Sequence, residues 1–290
     1  MMKADKLFRV VEENCFNELV RLDEIDATGV SKQVLSTIPV LFNYWAKSED
    51  ALETSRFLND HIAEVVSRYP ERFIGIGTVP LQDVDLALRE MERCINELRM
   101  PGIEIGTNVN GKNLSEKNLL PFFEAAEKLN SSLFVHPWEM MGENDMQDYW
   151  LPWLVGMPAE TSRAICSLIF GGVMEKFPKL KLAFAHGGGS FPFTIGRIQH
   201  GFDVRPDLVA VDNNISPGNY LGKFWVDSLV HDEKALKYLL EIIGDDKICL
   251  GSDYPFPLGE AEPGKLINET LLDEMVKEKL LYKNALKWIS

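Results

Sequence analysis

Short unbroken apolar runs alternate with longer stretches of helical spacing almost from end to end of the chain. The runs are "KQVLSTIPV" (32–40), "RFIGIGTVPL" (72–81), "GIEIGTNV" (102–109), "SSLFVHP" (131–137), "KLKLAFAHGG" (179–188), "GKFWVDSLV" (222–230) and "KICLGSDYP" (247–255). Each has the length of a strand and stays apolar at successive positions, the pattern of strands covered on both faces. Between them, helical periodicity predicts helices over 50–69, 83–99, 117–129 and 158–176, from near 191, and over 232–243. A further helix over 16–31 leads into the first run, with Ala27 to Gly29 as its C-terminal turn. Repeated βα units of this length predict a parallel α/β fold, either a doubly wound sheet or a (β/α) barrel.

Seven strands can be named in this way, and a closed barrel needs eight. "KLFRVVEENC" (6–15) is strand-like but short, and turns polar after Val11, so it reads as an excursion and not as a stave. The expected fold is a TIM-type (β/α)8 barrel with its first strand missing. No Gly/Ser- or Pro-rich linker and no low-complexity tract interrupts the chain, so residues 1–290 read as a single, N-terminally truncated domain.

Three strands end in a polar residue that their apolar bodies do not require: His136 in "LFVHPW", His186 in "LAFAHGGG" and Asp253 in "CLGSDYP". In a barrel these ends form the active-site face. Two histidines and an aspartate there suit a divalent-metal or an acid–base site, since imidazole and carboxylate are the usual ligands of catalytic zinc. Each also has a plainer reading: His136 precedes a proline, Asp253 sits in a turn-like segment, and His186 could be a packed core residue. The convergence of all three favours function. The glycines after His186 read as clearing room for a substrate. His61, His200 and His231 read as structural or solvated, with Asp232 beside His231 as a helix N-cap. There is no G-x-S-x-G, P-loop or G-x-G-x-x-G; "HGGG" is similar to an esterase oxyanion loop but lacks its nucleophile elbow.

Composition narrows the partners. The net charge of −14 argues against nucleic acid, although a few local arginines would still allow a small anionic substrate. The four cysteines form no C-x-x-C pair and read as reduced thiols of a cytosolic protein. No apolar run reaches membrane-spanning length, and "MMKADKLFRV" lacks the apolar stretch of a secretory signal. With 290 residues, the chain can bury a large core without disulfides.

"LFVHPW", "YWLPWLVGMPAET", "EKFPKLKLAFAHGGGSFPFTIGRI" and "GSDYPFPLGEAEPGKLI", with "FRVVEENC" and "STIPVLFNYWAK", resemble the aminocarboxymuconate-semialdehyde decarboxylases. These belong to the metal-dependent amidohydrolase superfamily and act in tryptophan (kynurenine) catabolism. The resemblance implies zinc held by His136 and Asp253, with His186 beside the metal as general acid/base. It implies Arg9 on a substrate carboxylate, Trp150 and Phe256 lining the pocket, and Arg197 reaching across a homodimer interface into the neighbouring site. The family also opens with a strand ending in His-x-His, which supplies two further ligands; no His-x-His occurs here, and the first histidine is His61. Three expectations follow: a zinc-dependent decarboxylase, an inactive truncated protomer that dimerises with a full-length partner, or a related metal-dependent hydrolase of a cyclic dicarboxylate.

Overall fold

Seven parallel strands, neighbours in the order in which they occur, carry the fold of this computed structural model, which describes residues 2–3, 5–7 and 10–290. Strand β1 (Gln33–Leu35) pairs with β2 (Phe73–Gly75). The chain kinks at Ile76 and continues as Gly77–Thr78, which pairs with β3 (Gly102–Gly106). Then β4 (Ser132–His136), β5 (Lys181–Phe184), β6 (Trp225–Asp227) and β7 (Ile248–Cys249) follow, each parallel to the one before. The seven expected strands are therefore all present, shorter than the apolar runs that announced them. After Leu35, for example, the chain turns into Pro39–Leu41 and not further strand. Among the described residues Lys6–Leu7 pairs antiparallel with Met2–Lys3 and with none of the seven parallel strands, in line with the excursion reading.

The helices fall where the periodicity puts them: α1 (Glu18–Ala27), α2 (Ser48–Arg68), α3 (Val84–Asn96), α4 (Leu120–Lys128), α5 (Met157–Phe170), α6 (Phe191–Val204) and α7 (Glu233–Ile243). Helix α3 shows the local logic. The Asp83 carboxylate accepts the Leu86 N–H at 3.1 Å as N-cap, and Ala87, Met91 and Cys94, spaced by three and four, bury one face. Helix α7 repeats it with Asp232 capping Ala235 and with Leu236, Leu239 and Ile243 inward.

Alternate residues of each strand enter different cores. Ile103, Ile105, Leu133 and Val135 pack in the large cluster shared with the helices. Phe134, Ala183, Trp225 and Cys249 face the other way and meet Ile76 and Trp288 in a small inner cluster. Trp288, from the last helix α8 (Asn284–Ile289), closes the N-terminal end of the strands: its indole donates to the Lys181 carbonyl at 3.1 Å, and its own carbonyl accepts the Ser132 hydroxyl. With that end filled, the free volume lies at the opposite, C-terminal end.

Among the described residues β7 and β1 do not pair with one another. Helix α1 reaches across instead. Arg21 donates to Gln33 of β1 at 2.9 Å and lies over the Tyr254 ring, while the Tyr254 hydroxyl, just beyond β7, donates to Glu24. No helix among the described residues is long and apolar enough to cross a membrane.

Candidate active site

His136 is the last residue of β4, His186 follows β5 by two residues, and Asp253 follows β7 by four. The structure brings the three together: one ligand atom from each lies within 4.8 Å of the others. The two imidazoles stand edge to face, centroids 4.9 Å apart. Nδ1 of His136 lies 3.0 Å from the Pro137 carbonyl; a proton held there leaves the lone pair on Nε2, the tautomer a metal needs. Burial, followed by the neighbouring His186, pushes His136 down to about 3, so it stays neutral in ordinary buffers. Both His186 (φ 57°) and Asp253 (φ 49°) hold left-handed backbone that non-glycine residues seldom adopt. Strain of this kind persists only where the surroundings fix it.

For His186 the fixing group is Asp227, the last residue of β6. Its Oδ2 accepts the His186 N–H at 2.9 Å, and its Oδ1 accepts those of Gly187 at 2.8 Å and Leu229 at 3.0 Å. A Cβ on Gly251 would stand 2.6 Å from that of Asp227, so the glycine before "SDYP" makes room for the carboxylate. The glycines after His186 serve a different purpose from the expected one. All three have positive φ, and added Cβ atoms would meet Val230 at 2.6 Å from Gly187, Val226 at 3.1 Å from Gly188 and the Pro158 carbonyl at 2.3 Å from Gly189. They clear room for the protein's own close packing; only Gly189 lines the pocket.

Above the three residues lies a cavity of about 420 Å³ with mostly apolar walls. Trp138, Trp150, Trp153, Met157 and Phe256 line it, Trp150 and Phe256 being the two aromatics named from the sequence. Arg197 does not line this cavity and is exposed on α6. Arg9 lies outside the described residues. The loop that carries Trp138 is pinned to α5 by Glu160, whose buried carboxylate accepts from Asn108 at 3.0 Å, the Met141 N–H at 2.9 Å and Arg163 at 3.2 Å.

Sequence reasoning missed four of these groups. Asp227 carries the same signal as the chosen three, a polar residue ending an apolar strand in "FWVDS". Glu104 interrupts "GIEIG" and sits fully buried beside Ser36, with one oxygen lacking a partner among the described residues. Burial, with the Asp253 charge adding to it, holds its carboxyl well above the usual carboxylate range. Glu160 gives no signal beyond a charge within an otherwise apolar helix face. His231, read as structural or solvated, lines the cavity.

The parallel α/β fold agrees with the comparisons. The amidohydrolase family model matches residues 21–289, and the chain belongs to that family. It is 58% identical over 290 residues to 2-amino-3-carboxymuconate-6-semialdehyde decarboxylase of Dictyostelium discoideum, covering 100% of this chain and 81% of that protein. It is 40% identical over 340 residues to the Caenorhabditis elegans protein of the same name, covering 100% of this chain and 84% of the relative. Among solved structures, 5-carboxyvanillate decarboxylase from Novosphingobium aromaticivorans, complexed with manganese and 4-hydroxy-3-methoxy-5-nitrobenzoic acid, matches with a TM-score of 0.84 and 27% identity, covering 93% of this chain and 79% of that one.

Proposed function

We propose that this chain is a zinc-dependent decarboxylase converting 2-amino-3-carboxymuconate 6-semialdehyde to 2-aminomuconate 6-semialdehyde, in tryptophan catabolism in the cytosol. The observation that carries the reading is the convergence of His136, His186 and Asp253 beneath an aromatic-walled cavity. Two imidazoles and a carboxylate fit a borderline cation such as Zn(2+), with His136 and Asp253 as the holding residues. A divalent cation there supplies a Lewis acid and lowers the pKa of a water it holds.

The chain's own residues do the rest. His186, positioned through its backbone by Asp227, holds and delivers the proton that replaces CO2 at the substrate carbon, while the electrons of the breaking carbon–carbon bond pass into the conjugated system. Trp150 and Phe256 flank the planar substrate and exclude water. Arg9 binds a substrate carboxylate, and Arg197 serves the cavity of a second copy in a homodimer. Support for the arginine roles is their chemistry, since a guanidinium clamps a carboxylate through two hydrogen bonds.

The test is metal content measured together with loss of the substrate's near-ultraviolet absorbance. Stoichiometric zinc with turnover is the expected result; stoichiometric zinc without turnover overturns the reading. For the dimer, His186→Ala and Arg197→Ala variants, each inactive alone, should regain part of the activity when mixed, because one mixed site then has both residues.

A further inference from the structure

The cavity presents a charge problem that the three site residues leave open. A substrate with two carboxylates brings two negative charges, and the chain itself carries a net charge of −14. Among the described residues the cavity walls contain no arginine or lysine. Beyond the His136–His186–Asp253 group, the titratable side chain that lines the cavity is His231.

Three features set His231 apart from a solvated surface histidine. Its backbone is left-handed (φ 58°), an uncommon state for a residue with a bulky ring. The position is fixed from both sides: Leu229 N–H is held by Asp227, and Asp232 is locked as the N-cap of α7 through Ala235 at 2.9 Å. The Asp227 carboxylate that positions His186 thus also anchors the segment leading to His231. Finally, the exposed ring makes no hydrogen bond or ion pair with any described residue, although Glu260 lies near enough for the charge of His231 to be felt there. A strained backbone that presents an unengaged donor to a cavity is better explained by a ligand than by stability.

We propose that His231 is a substrate-binding residue that donates a hydrogen bond to the carboxylate of a dicarboxylate ligand lying farther from the His136–His186–Asp253 group. The assignment deepens the reading of the cavity as a dicarboxylate site and rests on it. His231 then decides between dicarboxylates and monocarboxylates of the same skeleton, because only the former bring a partner for the ring.

The experiment compares two stable, unreactive probes, muconate (hexa-2,4-dienedioate) and sorbate (hexa-2,4-dienoate), which share the conjugated six-carbon chain and differ in one carboxylate. Binding to the full chain is read by quenching of the cavity tryptophans. Wild type should bind muconate about tenfold more tightly than sorbate, the size expected for one charge-assisted hydrogen bond. His231→Leu should weaken muconate to the sorbate level and leave sorbate unchanged, which also shows that the variant is folded. His231→Gln, which keeps a donor, should recover part of the difference. The assignment is overturned if wild type binds both probes equally or neither, or if His231→Leu either keeps the wild-type preference for muconate or weakens both alike. Turnover is a separate readout: probe discrimination without turnover removes the decarboxylase reading and leaves this one standing.

Discussion

The carboxylate of Asp227 takes the backbone N–H of His186 at 2.9 Å, so the acid at the end of β6 holds the turn that carries the His186 imidazole just beyond β5. Two further N–H groups share that carboxylate, and it is only 8% exposed. An amide in its place would have to turn one NH2 group against an N–H. Asp227→Asn should therefore cost about 1–3 kcal/mol, the usual penalty for a buried donor left unsatisfied. Urea denaturation measures this, and, on the proposed roles, turnover should fall further than metal content, because Asp227 holds the turn at His186 and Gly187.

His186→Ala separates the two roles open to that residue. If it moves a proton, the variant retains stoichiometric metal while turnover falls by two to four orders of magnitude, the usual worth of a positioned acid/base. Loss of the metal, read by elemental analysis, would make His186 a ligand.

Two glycine substitutions of the same chemistry should differ in sign. Gly189→Ala places a Cβ 2.3 Å from the Pro158 carbonyl at φ 64° and should destabilise by a few kcal/mol. Gly196→Ala lies within α6 with open space around its Cβ and should stabilise by up to about 1 kcal/mol through helix propensity. Melting temperatures of the two variants decide both.

Glu104 predicts a pH dependence. Its folded-state pKa is raised, chiefly by burial, so as pH climbs past the ordinary carboxylate value the unfolded chain releases this proton first. Stability then falls with rising pH until the folded group titrates as well. Glu104→Gln mimics the protonated form and lacks this loss. The stability of the variant relative to wild type should increase as pH rises above the ordinary carboxylate range and level off once the folded group titrates, as measured by denaturation at a series of pH values. A flat difference would mean that the buried carboxyl is already ionised in the fold.

What was legible in the sequence follows from how local each signal is. Strand cores such as "LFVHP" and "KLAFAH" announce themselves because both faces are buried, and the caps Asp83 and Asp232 stand where periodic segments begin. His136, His186 and Asp253 are visible because a polar side chain at the end of an apolar strand is costly unless something uses it. Asp227 gives the same signal but spends its charge on neighbouring backbone, which only the turn at Gly187 reveals. The glycines were misread for a related reason: a triplet of glycines marks a tight place but not its occupant, and here the occupants are Val230, Val226 and the Pro158 carbonyl. His231 depends on where β6 ends and α7 starts in space, which periodicity does not encode.

The hydrogen bond from Tyr254 to Glu24 joins positions 230 residues apart, and Tyr254 is the immediate neighbour of Asp253. Asn14 and Arg21 reinforce the same contact from the amino-terminal side. Helix α1 thus acts as a splint on the loop that carries Asp253. A protease nick in the connection between Ala27 and Gln33 would leave every cavity residue intact and still loosen the loop on which the Asp253 carboxylate, proposed above to hold the cation, rides. The amino-terminal helix would behave as a remote adjuster of cation affinity, and chelator resistance would report whether that splint is in place.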